Sequence, residues 1–439
     1  MQLSNNDETK RKPASVWRET APSLPPFEKL KRSLSTEVVI VGAGFTGLSA
    51  AHHLAERGIE CIVIDEHEPG WGASGRNGGM LVPRTKIAPS RIEQTWGRSE
   101  ALEQRRLLHS ALDTVSHLID YYSIDCAFRK GGYVAAAHNA RYLAKLAEDV
   151  NWLHEIAGEV DVRSLSGEQI AEMIGSTAYV GGYFDPLGAT VQPLAYVEGL
   201  ADGLRRRGVG IYGDCYVERM DEDLSGVRLV AGGFNISSMH VILATNAYTP
   251  AFGFPGALAR RIVAVSSSVI ATEPLLQGIP SEIFPNGVAV SDTKHLLNWA
   301  RLTPDNRLVF GGRGDITGRS DSIHSYRELE QVMKTTFPFV AHTKITHRWS
   351  GKVAVTRDGW HHLGSFHPKM HYAVGYGGRG VAMSALMGRL LAELVEGKRI
   401  DLGPITASKN FTVFPFHNFR IPAMRIAAAY YRMRDFFGM

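Results

Sequence analysis

The chain has 439 residues, is 44% hydrophobic and 21% charged, and carries a net charge of only +4. That is globular composition, with length enough for two or three structural units around a large ligand cavity. It speaks against a general nucleic-acid binder, because the surplus charge sits at the end: Lys409, Arg420, Arg425, Arg432 and Arg434 face the single acid Asp435. Cys61, Cys126 and Cys215 are far apart, form no CxxC, and read as small buried hydrophobes in a reducing compartment. The opening "MQLSNNDETKRKPASVW" lacks the apolar core of a signal peptide, and no run reaches the ~18 apolar residues of a membrane span. A cytoplasmic location is expected.

Residues 1–36 are polar and Pro-spotted and read as an arm. Val38–Val41 is an apolar strand, followed by Gly42-Ala43-Gly44-Phe45-Thr46-Gly47, a GxGxxG turn. Leu48–Arg57 has helical periodicity, Gly58 ends it, and Cys61–Ile64 is a second strand ending at Asp65 and Glu66. In this context the turn is a dinucleotide fingerprint. Gly42 makes the tight turn, Gly44 lets a pyrophosphate approach, and Gly47 packs helix on strand. The helix N-terminus offers N–H groups to phosphate, and Asp65 accepts from ribose. NAD and FAD both use this device. The next stretch, "GWGASGRNGG" (Gly70–Gly79), points to FAD: a chain so free of side chains suits a flat flavin ring lying along it. There Gly72, Ala73, Gly78, Gly79 and the following Met80 supply backbone, and Ser74, Arg76 and Asn77 supply donors.

"SEALEQRRLLHSALDTVSHLIDYY" is a long helix, and "RIVAVSSSVIATEPL" and "RLVFGGR" are β-rich. Tyr372–Val374 reads as a strand and Val381–Glu396 as a helix, joined by a second glycine cluster with Gly375, Gly377, Gly378 and Gly380. No acid-ended strand follows, so this turn is aimed at the same cofactor from its other end. The helix start, Arg379–Ala382 with Val381 inside it, would stabilise negative charge on the reduced ring. At the C-terminus, Ile426, Tyr430, Met433 and Phe437 share one helical face. Docking on the protein's own surface is preferred over contact with an acidic membrane.

The motifs "VIVGAGFTGLSAA", "GWGASGRNGG", "FDPLGATVQPLAYVEGLA", "VILATNAYTP", "LTPDNRLVFGGR", "WSGKVAVTRDG" and "GYGGRGVAMSALMG" span nearly the whole chain. With them the sequence resembles the FAD-dependent oxidoreductases of the D-amino acid oxidase/glycine oxidase superfamily, and within it the γ-glutamylputrescine oxidase-like amine oxidases. The resemblance implies an α/β fold: a Rossmann-like FAD-binding domain (37–105, 155–250 and 345–405) interleaved with a mixed or antiparallel-sheet substrate domain (106–154 and 251–344). The arm (1–36) and a C-terminal helical tail (406–439) flank them. It also places Val217 near adenine, Ala244, Thr245 and Asn246 beneath the cofactor, and Gly351 at the flavin; Val217 is equally readable as sheet core. No Cys stands in Ser350–Val355 and no His in Gly70–Gly79, so non-covalent FAD is implied.

One segment departs from the pattern. Glycine and D-amino acid oxidases carry a WxGLRPxTxDG-like stretch whose Arg grips the substrate α-carboxylate. Here Trp349, Gly351, Thr356, Asp358 and Gly359 match, but the Arg position is Val353 and the next is Ala354. An apolar wall replaces a charged clamp. The substrate is therefore expected to be an amine, or an acid whose carboxylate is remote; Lys352, Arg76 and Arg379 are the cations that would meet it. Trp299 is either an aromatic wall for an amine or a core residue. His361, His362, His367 and His371 lack acidic or Cys companions, so no metal is expected. The implied reaction is hydride transfer from the carbon beside a neutral amine to flavin N5, followed by imine hydrolysis, with oxygen or another electron acceptor. Two alternatives stay open: a secondary amino acid dehydrogenase (sarcosine- or pipecolate-like) feeding a quinone, and a non-catalytic flavoprotein assembly factor.

Overall fold

The first strand runs Leu34–Val41, starting earlier than the apolar run Val38–Val41, because Leu34–Thr36 find parallel partners in Ile236–Ser238. The structure is a computed structural model describing residues 14–222, 226–249, 256–275, 283–314, 323–403, 411–415 and 419–437. Leu34–Val41 lies between Phe234–Leu243 and Cys61–Ile64, both parallel to it. Outward on one side come Met370–Val374 and His362–His367, and on the other Gly210–Tyr212. A hairpin, Val217–Glu222 with Val227–Ala231, branches from Phe234–Leu243. Cys61–Ile64 is buried at every position, as befits a parallel strand covered on both faces. The helices Phe45–Ala55 and Gly380–Val395 pack on each other over this sheet. Gly388 allows it: a Cβ there would lie 2.6 Å from Thr46 O and 2.7 Å from Ala50 N.

The second sheet also has eight strands, in the order Ile345–Val355, Val263–Thr272, Leu308–Arg313, Trp299–Leu302, Ala289–Asp292, Tyr133–Ala137, Gly181–Asp185 and Arg163–Ser166. All its pairings are antiparallel except Ala289–Asp292 with Tyr133–Ala137. The division of the chain between sheets differs from the boundaries expected above. Arg163–Ser166, Gly181–Asp185 and Ile345–Val355 stand in the second sheet, since each pairs only with its strands; Ile345–Val355 follows Val263–Thr272 along nearly its whole length.

Two more expectations change. The arm is not merely peripheral: Val16–Thr20 is a short helix, capped by Ser15, and Val16 and Trp17 are fully buried. The terminal helix, Arg420–Phe437, does dock on the protein, but not by its expected apolar stripe. Ile426, Tyr430 and Met433 are exposed, while Ala428, Tyr431 and Asp435, spaced to share another face, turn inward. Hydrogen bonds to Asp435 and the stacking of Tyr431 on His295 decide the orientation. The side chain of Phe437 and residue Lys409 lie outside the described residues. Among the described residues no helix is long and apolar enough to cross a membrane.

Candidate cofactor and substrate cavity

The first glycine turn forms as its sequence demands. Gly42 has φ +115°, and a Cβ there would stand 2.9 Å from Ala244 O. At Gly47 a Cβ would fall 1.9 Å from Gly42 O, so only glycine lets the helix Phe45–Ala55 begin this close to its strand. Asp65 follows the second strand, and its carboxylate serves the turn itself: it accepts from Ala43 N at 2.7 Å and His67 N at 2.9 Å. The close approach at Gly44 is to Ser74, whose Oγ accepts the first helical N–H, that of Phe45, at 3.0 Å. Ser74 thus ties the second glycine stretch to the first.

That stretch is held from behind by three large side chains from three distant segments. Trp349 Nε1 donates to Arg76 O at 2.9 Å, Trp17 Nε1 to Asn77 O at 2.9 Å, and Arg301 Nη1 to Gly79 O at 2.9 Å and Val191 O at 2.6 Å. Arg301 is 1% exposed, and burial, with Arg129 nearby, pulls its guanidinium down to about 9. Carbonyls alone solvate it among the hydrogen bonds it makes. With the loop's carbonyls occupied, its other face is left for a ligand. There Trp71 is sandwiched: His67 stacks on it at 3.8 Å, and Arg76 lies over the ring at 4.4 Å.

The second glycine turn meets the first. Tyr376 OH and Thr46 Oγ1 are 2.7 Å apart, and Gly375 N donates to Asn246 Oδ1 at 3.0 Å. The N-termini of Phe45–Ala55 and Gly380–Val395 therefore open on one cavity of about 930 Å³. Every expected cofactor residue and all four of Arg379, Trp299, Lys352 and Val353 line it, except Gly47, Gly79, Met80 and Ala382. Those four lie behind the wall for distinct reasons. Gly47 is spent on helix–strand packing, Gly79 on its bonds to Arg301 and Val191, Met80 on pairing with Thr190, and Ala382 is buried inside its helix.

The residues fit FAD on local grounds. Two helix N-termini with free partial positive charge face the space, which suits a pyrophosphate at one and a ring that gains negative charge at the other. Trp71 Nε1 and Arg379 Nε are buried beside it with no hydrogen-bond partner among the described residues. Burial, then Arg84, lowers the Arg379 guanidinium to about 10. Val217 lines the cavity too, two residues after Cys215, whose N–H donates to Asp65 O at 2.8 Å.

At the other end the walls come from the second sheet. Trp299 fills the room above two glycines: a Cβ at Gly78 would lie 2.6 Å from its ring and one at Gly311 2.0 Å. It is therefore both packed and cavity-lining. Val353 pairs with Val265, and the two contribute an apolar patch. Adjacent strand residues point to opposite faces, so Lys352 does not stand with Val353. Its Nζ lies 5.3 Å from the Tyr248 ring. Arg84 approaches Asp149 at 3.8 Å; burial lifts the Asp149 carboxyl to about 6 against the pull of Arg84. Trp71, Arg84, Tyr376, Arg301 and Tyr431 were not among the residues expected from sequence. The first three stand inside or just after the glycine stretches, a signal that was there to use. Arg301 and Tyr431 carry no local signal.

Residues 37–394 match the family described as FAD dependent oxidoreductase, DAO. The chain belongs to that family. As a DAO-family protein it is an FAD-dependent oxidoreductase of the amine and amino acid class. It is 34% identical over 97% of its length, and 99% of the relative's, to gamma-glutamylputrescine oxidoreductase of Escherichia coli (strain K12). It is 32% identical to a probable oxidoreductase OrdL of Haemophilus influenzae, with 94% of each chain covered. The glycine oxidase structure from Geobacillus kaustophilus has the same DAO fold: TM-score 0.72 and 21% identity over 85% of this chain and 98% of that one.

Proposed function

We propose that this protein oxidises the C–N bond of an amine, in the manner of γ-glutamylputrescine or a related N-substituted amine, with oxygen as the acceptor. FAD held along Gly42–Thr46 and Gly70–Gly78 would supply a two-electron acceptor for the hydride on the carbon beside the amine nitrogen, with oxygen taking up the electron pair; the resulting imine would add water and split into a carbonyl compound and ammonia or an amine. The chain's own part is to bind the amine in its neutral form. Trp299, Val265 and Val353 remove water from it, and burial disfavours an ammonium. The observation that carries this reading is Val353, an apolar residue on the cavity wall at the position where the resembling oxidases place a carboxylate-gripping Arg. The likeness to gamma-glutamylputrescine oxidoreductase supports it.

Anaerobic bleaching of the flavin by a ligand panel tests the proposal. γ-Glutamylputrescine and alkylamines should bleach it, and glycine and D-alanine should do so slowly or not at all. A charge-assisted clamp to carboxylate is typically worth ~1.5–3 kcal/mol, so its absence should cost a free α-amino acid roughly ten- to a hundredfold. Val353→Arg should weaken amine binding by placing an unpaired charge in the pocket. Rapid bleaching by glycine would overturn the reading, and bleaching by sarcosine or pipecolate alone would favour a secondary amino acid dehydrogenase.

A further inference from the structure

The cavity does not stop at the flavin-facing wall. It continues past Trp299 to Tyr142 and Lys145 of the helix Ala140–Glu155, to the segment Ser291–His295, and to Tyr431 of the terminal helix. These pieces are far apart in the chain, and one acid joins two of them. The Asp435 carboxylate accepts from His295 N at 2.9 Å and Leu296 N at 2.9 Å, and contacts His295 Nδ1 at 2.7 Å. One turn earlier, Tyr431 stacks on the His295 ring, centroids 5.2 Å apart and planes 13° from parallel. From the other side Tyr142 OH reaches His295 Nε2 at 3.4 Å. The segment is fixed at its base by Asp292, which accepts from Lys294 N, Asn298 N and Asn298 Nδ2 at 3.0–3.2 Å. The terminal helix otherwise leaves Ile426, Tyr430 and Met433 in solvent, so its inward face is given over to this contact.

We propose that this outer end of the cavity, walled by Tyr142, His295 and Tyr431 and positioned by Asp435, holds the remote end of an elongated amine. Lys145 and Lys294, both on its lining, suit that end to a carboxylate. Asp292, the acid beside them, is committed to backbone and amide donors, and Asp435 to the His295 segment. The assignment rests on the amine-oxidation reading and adds to it a requirement for length and a charged far end. Tyr431 and His295 are contact residues here, and Asp435 is a positioning residue.

The test compares Asp435→Asn and Lys294→Met holoenzymes with the native one. The binding probe is γ-glutamylbutylamide, which keeps the far end and lacks the terminal amine, titrated calorimetrically. Both variants should bind it roughly tenfold more weakly, as the loss of one charge-assisted contact implies. With γ-glutamylputrescine, KM should rise in the same proportion and kcat should hold; with butylamine, which is too short to reach, neither constant should move more than twofold. Equal losses with butylamine and the long amine would overturn the proposal, because the helix would then be supporting the fold. Unchanged binding of γ-glutamylbutylamide in both variants would overturn it as well. Binding of γ-glutamylbutylamide is read without turnover. Its persistence in an enzyme that no amine bleaches would sink the amine-oxidation reading and leave the outer site standing.

Discussion

The two ends of the cavity are made of different material. The cofactor end is built from main chain. Two of its glycines meet carbonyl oxygens at closest range: Gly47 would press on Gly42 O at 1.9 Å, and Gly75 on Gly70 O at 2.1 Å. The end proposed for substrate is built from side chains on separate segments: Arg84, Tyr142, Lys294, Trp299, Val353 and Tyr431. Where a glycine does serve that end, at Gly78, its neighbour is the Trp299 ring, which can move. A backbone-built wall tolerates no side chain, whereas a side-chain wall can be re-cut one residue at a time. That division lets one fold keep its cofactor and change its substrate.

The contrast can be broken first at Gly47. Gly47→Ala should abolish retention of FAD, since neither backbone strand can yield, and should cost at least the ~1–3 kcal/mol typical of overpacking. FAD content per chain after gel filtration checks this; a fully yellow variant would mean the turn relaxes.

Acid should act oppositely on the two ends. On the cofactor side, burial lowers His52, His361 and His371 to about 4 and His53 to about 3. An unfolded His binds a proton below about 6.5, so this stability is complete above that pH and is lost as pH falls towards 4. On the substrate side, burial raises Asp149 and Asp292 to about 6, which lessens their cost as they protonate below it. Each group contributes about 1.4 kcal/mol per pH unit at most. The histidines outnumber the acids, so urea midpoints should fall steadily from pH 6.5 to 4.5, with flavin fluorescence appearing as the cofactor half opens. A flat profile would contradict the burial of these rings.

A smaller effect should come from Gly78→Ala. The new methyl displaces Trp299, and kcat/KM should drop roughly tenfold, about 1.4 kcal/mol, with FAD retained. In a Trp299→Leu background the same change should do little, because the two residues share one space. Additive losses would show that Gly78 matters for another reason.

The mildest change is expected at Asp65. Its oxygens already serve Ala43 and His67, so Asp65→Ala should weaken FAD binding several-fold, about 1 kcal/mol, through the turn as much as through the ribose. FAD released intact by acid would agree with non-covalent attachment; flavin remaining on the denatured chain would not.

Legibility in the sequence follows the same line between main chain and side chain. The turn Gly42–Gly47, the stretch Gly70–Gly79 and the second cluster at Gly375–Gly380 could be read directly, because a backbone that must bend or be approached advertises itself in consecutive residues. Val353 was legible through its motif. Arg301 was not: a strand arginine looks like a surface charge until the fold carries it against Gly79 and Val191. Nor was the burial of Trp17, since a lone aromatic in a polar arm has no periodicity to place it. In the terminal helix apolar spacing does not mark the inner face, because hydrogen bonding to Asp435 sets which face turns in.

The bracing of the flavin loop also dictates when in the life of the chain the cofactor can be captured. Its carbonyls are bound by Trp17, Arg301 and Trp349, separated from them in sequence by 60, 222 and 273 residues. Contacts of that span are slow to form and the last to be rewarded. A growing chain exposes the complete dinucleotide turn early, yet it cannot brace the loop beside it until residue 349 has emerged. FAD capture is therefore a late event in biogenesis, and the glycine-rich loop spends most of synthesis without its supports.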